Sequence, residues 1–155
     1  MTDLIQPHCV MSTLRASDKP TLLRDLSERA ARLSGLDGQS ILRAIQLREA
    51  LGSTGVGQGI ALPHARVAGL EKFFGLFARL ERPIVFEAID DRPVDLAFLL
   101  LIPEGADDEG LAALACASRR LRDHDVTEGL RAAKTSTELY NLLTFARGTD
   151  PRHRS

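Results

Sequence analysis

Val94-Asp95-Leu96-Ala97-Phe98-Leu99-Leu100-Leu101-Ile102 is the stretch that decides the fold. From Leu96 onward it is apolar without a break, the pattern of a central strand covered on both faces rather than one with a wet side. The run from Leu96 to Ile102 is also too short to span a bilayer. Upstream, the turn Asp90-Asp91-Arg92-Pro93 separates it from a strand over Phe73–Leu80 and a brief one at Val85–Phe86. Downstream, Pro103–Asp108 reads as a polar loop. Leu111, Leu114, Ala115, Ser118 and Leu121 then mark a helix that ends near Asp123. Two short helices follow, over 126–133 and 137–145, before a polar tail containing Pro151 and His153.

The N-terminal half alternates in the same way. Cys9–Leu14 is a candidate first strand. Asp18 is placed to cap a helix with Pro20 in its first turn, where the missing N–H costs little. Leu22, Leu23, Leu26, Ala30 and Leu33 recur at helical spacing up to Gly35, which predicts a helix over Lys19–Ser34. Ile41, Leu42, Ile45 and Leu51 give a second helix over Gln39–Leu51, stopped by Gly52, and Ile60–Leu62 is a short apolar piece after it. Interleaved helices and strands predict an α/β sandwich, a single domain whose central mixed β-sheet is covered by helices.

The 155 residues are 44% hydrophobic and 26% charged, ordinary for one globular domain with a substantial core. Twenty basic residues against 21 acidic ones leave a net charge of −1, so no basic excess points to nucleic acid or an anionic membrane. Cys9 and Cys116 match no metal-ligand or CxxC spacing, and Cys116 in its apolar helical run reads as a buried structural thiol. No basic segment followed by an apolar one opens the chain. The expected location is the cytoplasm, with no direct membrane insertion.

Function concentrates in Gly52-Ser53-Thr54-Gly55-Val56-Gly57-Gln58-Gly59-Ile60-Ala61-Leu62-Pro63-His64. Glycines at 52, 55, 57 and 59 let the backbone approach a ligand, and successive N–H groups in such a turn can form an anion site. Ser53 and Thr54 add hydroxyl donors, Arg48 supplies a cation one helical turn earlier, and Pro63 fixes the backbone before His64. A nucleophile, N–H and O–H donors and a cation are the parts of a phosphoryl-transfer site. The run is neither a Walker A loop nor a Rossmann fingerprint, and on glycine content alone an ordinary loop with an incidental surface histidine remains open.

Arg48-Glu49, Gly52-Ser53-Thr54-Gly55, Gly57 and Ile60-Ala61-Leu62-Pro63-His64-Ala65 resemble the active-site signature of the mannitol/fructose-type IIA domains of the bacterial phosphotransferase system. Within that family the extent of the match is nearest to the stand-alone nitrogen-regulatory branch. It runs from about residue 4 to 145 and takes in 83–90, 93–96, 130–133 and 138–140. The resemblance implies a IIA fold over 4–147 with a tail at 148–155. It also implies a phosphoryl group accepted on His64 from the phosphohistidine of an HPr-like carrier. Arg48, Ser53, Thr54, Gly55 and Gly57 are implied as phosphoryl-stabilising residues. No metal, nucleotide or other cofactor is implied, because the donor already carries activated phosphate.

The chain departs from the pattern at one point. Many members carry a second histidine near the start of the third helix, where Gly110 stands here beside Asp107, Asp108 and Glu109. Acidic neighbours repel a phosphoryl dianion, although the same charges suit a helix N-terminus. His124 reads as a surface cap beyond the third helix, and His8 and His153 carry no assigned role. Three functions stay open: a regulatory phosphocarrier that signals through regulatory target proteins, a sugar-specific IIA subunit passing phosphate to a IIB domain, and a phosphate-independent interaction module.

Overall fold

The computed structural model describes residues 1–145. The elements run β1 (Ile5–Leu14), α1 (Lys19–Ser34), α2 (Gly38–Ala50), β2 (Gly55–Gly57), β3 (Ile60–Ala61), β4 (His64–Val67), β5 (Phe74–Ile84), β6 (Val94–Pro103), α3 (Asp107–Arg122), α4 (His124–Ala132) and α5 (Ser136–Thr144). The sequence-predicted tail at 148–155, His153 included, lies outside the described residues.

The mixed sheet has six strands in the order β1-β5-β6-β3-β2, with β4 also paired to β6. β5 and β6 are antiparallel, whereas β1 lies parallel to β5 and both β3 and β4 lie parallel to β6. β3 (Ile60↔Leu96, Ala61↔Ala97) and β4 (His64↔Leu100 to Val67↔Pro103) lie end to end along the same edge of β6. Only Leu62 and Pro63 interrupt them.

β6 is buried from Leu96 to Ile102, as its apolar run requires. Phe77, Phe98, Leu76, Leu96 and Leu99 are among the fully buried side chains at the sheet's centre. α1 packs on α2 and β5, and α2 on β4; in the C-terminal half α3 packs on β6 and α4, and α5 on α4 and β1. Caps follow the residues expected of them. Asp18 accepts from Thr21 N–H at 2.8 Å, Asp37 from Ser40 N–H at 3.0 Å and Thr135 Oγ1 from Glu138 N–H at 3.1 Å.

Several expectations are corrected. β1 begins at Ile5, not Cys9, and its exposed Gln6-Pro7-His8 stretch is an irregularity between the Ile5↔Gly75 and Val10↔Phe77 pairs. The brief strand expected at Val85–Phe86 does not form. β5 instead continues to Ile84 and pairs there with Val94, Val85 turns to solvent and Phe86 plugs the core. Leu51, expected in the apolar stripe of α2, is its exposed C-cap.

α3 starts at Asp107, so the expected loop acids form its first turn. It buries Gly110, Ala113, Ala117 and Leu121; of the expected stripe Leu121 is buried and Leu114 half-buried, whereas Leu111 and Ala115 are exposed. Small residues face the sheet because the helix lies close to it. A Cβ on Gly110 would stand 3.0 Å from Ile102 Cγ2. Cys9 is buried, which pushes its thiol pKa up, whereas Cys116 is half-buried rather than buried. His124 is the first residue of α4, with Nε2 2.9 Å from Glu128 Oε1, and so is not a terminal cap of α3. No helix among the described residues is long and apolar enough to cross a membrane.

Candidate functional site

His64 opens β4, fixed by the proline before it and by the Leu100 pairing beside it. Its Nδ1 lies 2.9 Å from Leu62 O. A carbonyl can only accept, so Nδ1 carries the proton and Nε2 keeps its lone pair. Arg48 Nε–H donates to that Nε2 at 3.2 Å, which a guanidinium can do only to an unprotonated nitrogen. Burial pushes the His64 pKa below its usual value and Arg48's charge adds to the effect. The Leu62 bond and the Glu49 carboxylate oppose it. The net result is a neutral imidazole with one defined tautomer and its lone-pair nitrogen turned toward a cation.

Arg48 comes from the last turn of α2, which packs against β4. Its Nη1 donates to Gly52 O at 2.8 Å, so the turn that ends the helix also aims the guanidinium. Next to it, Glu49 points inward. It accepts from Thr54 N–H (3.3 and 3.2 Å to its two oxygens) and from Thr54 Oγ1, and pairs with Lys19 Nζ at 2.9 Å. Their side chains are only 6% and 16% exposed, so each charge depends on the other for compensation. Lys19 also lies 4.4 Å above the Phe86 ring.

The residues of the expected phosphoryl-binding loop have partners within the fold. Thr54 is buried with its hydroxyl on Glu49. Ser53 Oγ donates to Phe86 O at 3.1 Å and accepts Gly55 N–H at 3.1 Å. The glycine run is not an open nest of amides but the β2–β3 hairpin, in which Gly55 faces Ala61 and Gly57 faces Ile60. A Cβ on Gly55 would come within 2.8 Å of Ala88 Cβ, and Gly57 has φ +99° with Asp90 Oδ2 only 3.3 Å from its Cβ position. These glycines allow the hairpin to lie against the 86–90 segment. His64 and Arg48 are brought into contact; Ser53, Thr54, Gly55 and Gly57 brace the loop behind them.

On the other side of His64, paired residues of adjacent parallel strands project to a common face. His64, Leu100, Arg66 and Ile102 thus share one face of the sheet, the face on which Gly110 of α3 meets Ile102. Gly110 is buried there, so a side chain at that position would require Ile102 to move. Asp107, from the acidic turn, is paired with Arg66: Nη2 to Oδ1 is 3.1 Å. The sequence reading gave no role to Glu49, Lys19 or Arg66. Glu49 could have been singled out by its place beside Arg48, and Arg66 by its two-residue offset from His64, the strand period.

Comparison with known proteins identifies the family and the fold. Residues 3–145 match the family described as phosphoenolpyruvate-dependent sugar phosphotransferase system, EIIA 2. A nitrogen regulatory protein of Bradyrhizobium diazoefficiens is 44% identical over 149 residues, covering 96% of this chain and 97% of that protein. The crystal structure of the nitrogen regulatory protein IIA-Ntr from Neisseria meningitidis superposes with a TM-score of 0.86 at 32% identity, covering 91% of this chain and 97% of that one. IIA mannitol from Escherichia coli shares the fold, with a TM-score of 0.74 at 19% identity over 89% of this chain and 97% of that one.

Proposed function

The chain belongs to the phosphotransferase system EIIA 2 family, and from that premise we propose that it is a regulatory phosphoryl carrier of the nitrogen type. In this reading His64 accepts phosphate from the phosphohistidine of an HPr-like carrier in the cytoplasm. The phosphorylated and free forms then bind regulatory target proteins differently. The similarity to nitrogen regulatory proteins over nearly the whole chain supports the branch.

The observation that carries the chemistry is the pair of contacts on one imidazole, Nδ1 on Leu62 O and Nε2 facing Arg48. The Nε2 lone pair forms the new N–P bond as the N–P bond to the donor's imidazole breaks, and the donor ring leaves with that bond's electron pair. Leu62 O holds the Nδ1 proton while the acceptor ring gains positive charge. Arg48 exchanges its contact with the lone pair for the phosphoryl oxygens, where a charge-assisted, forked donor is strongest. Ser53, Thr54, Gly55 and Gly57 support the transfer by holding the turn that aims Arg48.

Intact mass measurement after incubation with phosphoenolpyruvate, enzyme I and an HPr-like carrier tests this. The expected result is one acid-labile phosphate on the wild type and none on His64→Ala. Arg48→Ala is expected to fold and to label more slowly by about tenfold or more, the worth of one charge-assisted contact. Label that persists in His64→Ala would move the acceptor elsewhere, and an unlabelled wild type would favour a phosphate-independent interaction module. Discharge of the label onto a fructose-type IIB domain would mark a sugar relay.

A further inference from the structure

We infer that Arg66 is a second phosphoryl-binding cation at His64, held ready by Asp107; this rests on the proposed acceptor role of His64. β4 alternates: Ala65 and Val67 turn into the core, while His64 and Arg66 point to the opposite side. Two residues along a strand are separated by about 6.6 Å, well within the length of an arginine side chain. Arg66 therefore lies on the same side of β4 as His64, tied to α3 through Asp107, and Arg48 reaches the imidazole from α2.

About two negative charges on the phosphoryl oxygens leave room for a second cation beside Arg48. A phosphoryl group carries about −1.5 to −2 charges near neutral pH. Arg48 can offset one of them, and the charge of Lys19 is already matched by Glu49. Arg66 can offset the other. Its present partner does not hold it tightly, since the two side chains are 55% and 69% exposed and such pairs contribute little. Asp107 engages Nη2, and the guanidinium fork has further donors for a second acceptor. Asp107 thus serves as a counter-ion that keeps Arg66 ordered when no phosphoryl group is present and gives way when one arrives. The charge of the acidic turn is thereby offset in part, because Asp107 is paired with Arg66.

The test uses phosphoramidate as a small phosphoryl donor, which removes any effect on protein docking, with the full chain and its variants followed by intact mass. Arg66→Gln is expected to label about tenfold more slowly than wild type. The phosphorus resonance of its phosphoryl group should titrate at higher pH, because a lost cation makes the dianion less favourable. Arg66→Lys should recover part of both effects, and Asp107→Asn should label about twofold faster as its competing charge is lost. Wild-type rate and titration in Arg66→Gln, with His64→Ala unlabelled, would overturn this inference alone. Equal slowing in Arg66→Gln and Asp107→Asn with an unshifted titration would mark a purely structural ion pair and also overturn it. A wild type that takes no label would overturn the acceptor role and this inference together.

Discussion

Two neighbours leave the His64 imidazole no choice of proton. Leu62 O fixes hydrogen on Nδ1, and Arg48 favours an unprotonated Nε2. Burial is the main reason the folded-state pKa falls below the ordinary value of about 6.5. Below that pH the unfolded chain takes up a proton that the folded chain refuses. The stability contributed by the neutral ring is complete above about pH 6.5 and is lost as pH falls toward the lowered folded-state pKa. Denaturant midpoints at pH 7.5 and 5.5 should therefore fall more for wild type than for His64→Gln; equal slopes would contradict the burial argument. The sequence singled out His64 and Arg48, by residue type and by family resemblance, and the structure brings the two into contact. The roles of Ser53 and Thr54 were not legible there, because a hydroxyl's partner depends on which chain segment folds over it, here Phe86 and Glu49.

At the level of elements, the β2–β3 hairpin is the part whose shape the sequence hid. Glycine alternation suits an anion-binding turn as well as a strand pressed against other backbone, and only the position of the 86–90 segment distinguishes them. Gly55→Ala is the direct probe. Its methyl would meet Ala88 at 2.8 Å from Cβ to Cβ, with Ala88 Cα at 2.9 Å, and neither atom can swing away. The expected cost is about 1–3 kcal/mol by urea unfolding, the range for an overpacked core, with phosphorylation slowed because Arg48 is aimed by the adjoining turn. Unchanged stability would mean the hairpin can shift freely. α3 tells a similar story. Leu111 and Leu114 dominated its apolar pattern, yet Leu111 is exposed, and where the helix lies close to Ile102 the small residues Gly110, Ala113 and Ala117 are buried, followed by Leu121.

The molecule as a whole was the most legible level. An uninterrupted apolar strand can be satisfied only between two covering layers, and Val94–Ile102 requires that architecture from its residue types alone. Boundaries that depended on a local irregularity, such as the bulge around Pro7, were not legible. The sheet's centre is expected to set global stability while leaving the site's chemistry alone. Leu76, fully buried on β5, should cost about 3 kcal/mol when changed to Ala. The folded fraction should still label at the wild-type rate; slower labelling at equal folded fraction would show that the core and the site are coupled.

The end-to-end placement of β3 and β4 carries one more consequence. At the break, Leu62 N–H continues the ladder to Thr54 O at 2.9 Å, Pro63 O accepts from Leu100 N–H at 2.9 Å, and Leu62 O accepts from His64. The backbone itself thereby selects which regioisomer of phosphohistidine the proposed reaction can yield, the Nε2-linked one. The isomer present in the phosphorylated protein is a direct readout of a two-residue gap in a strand.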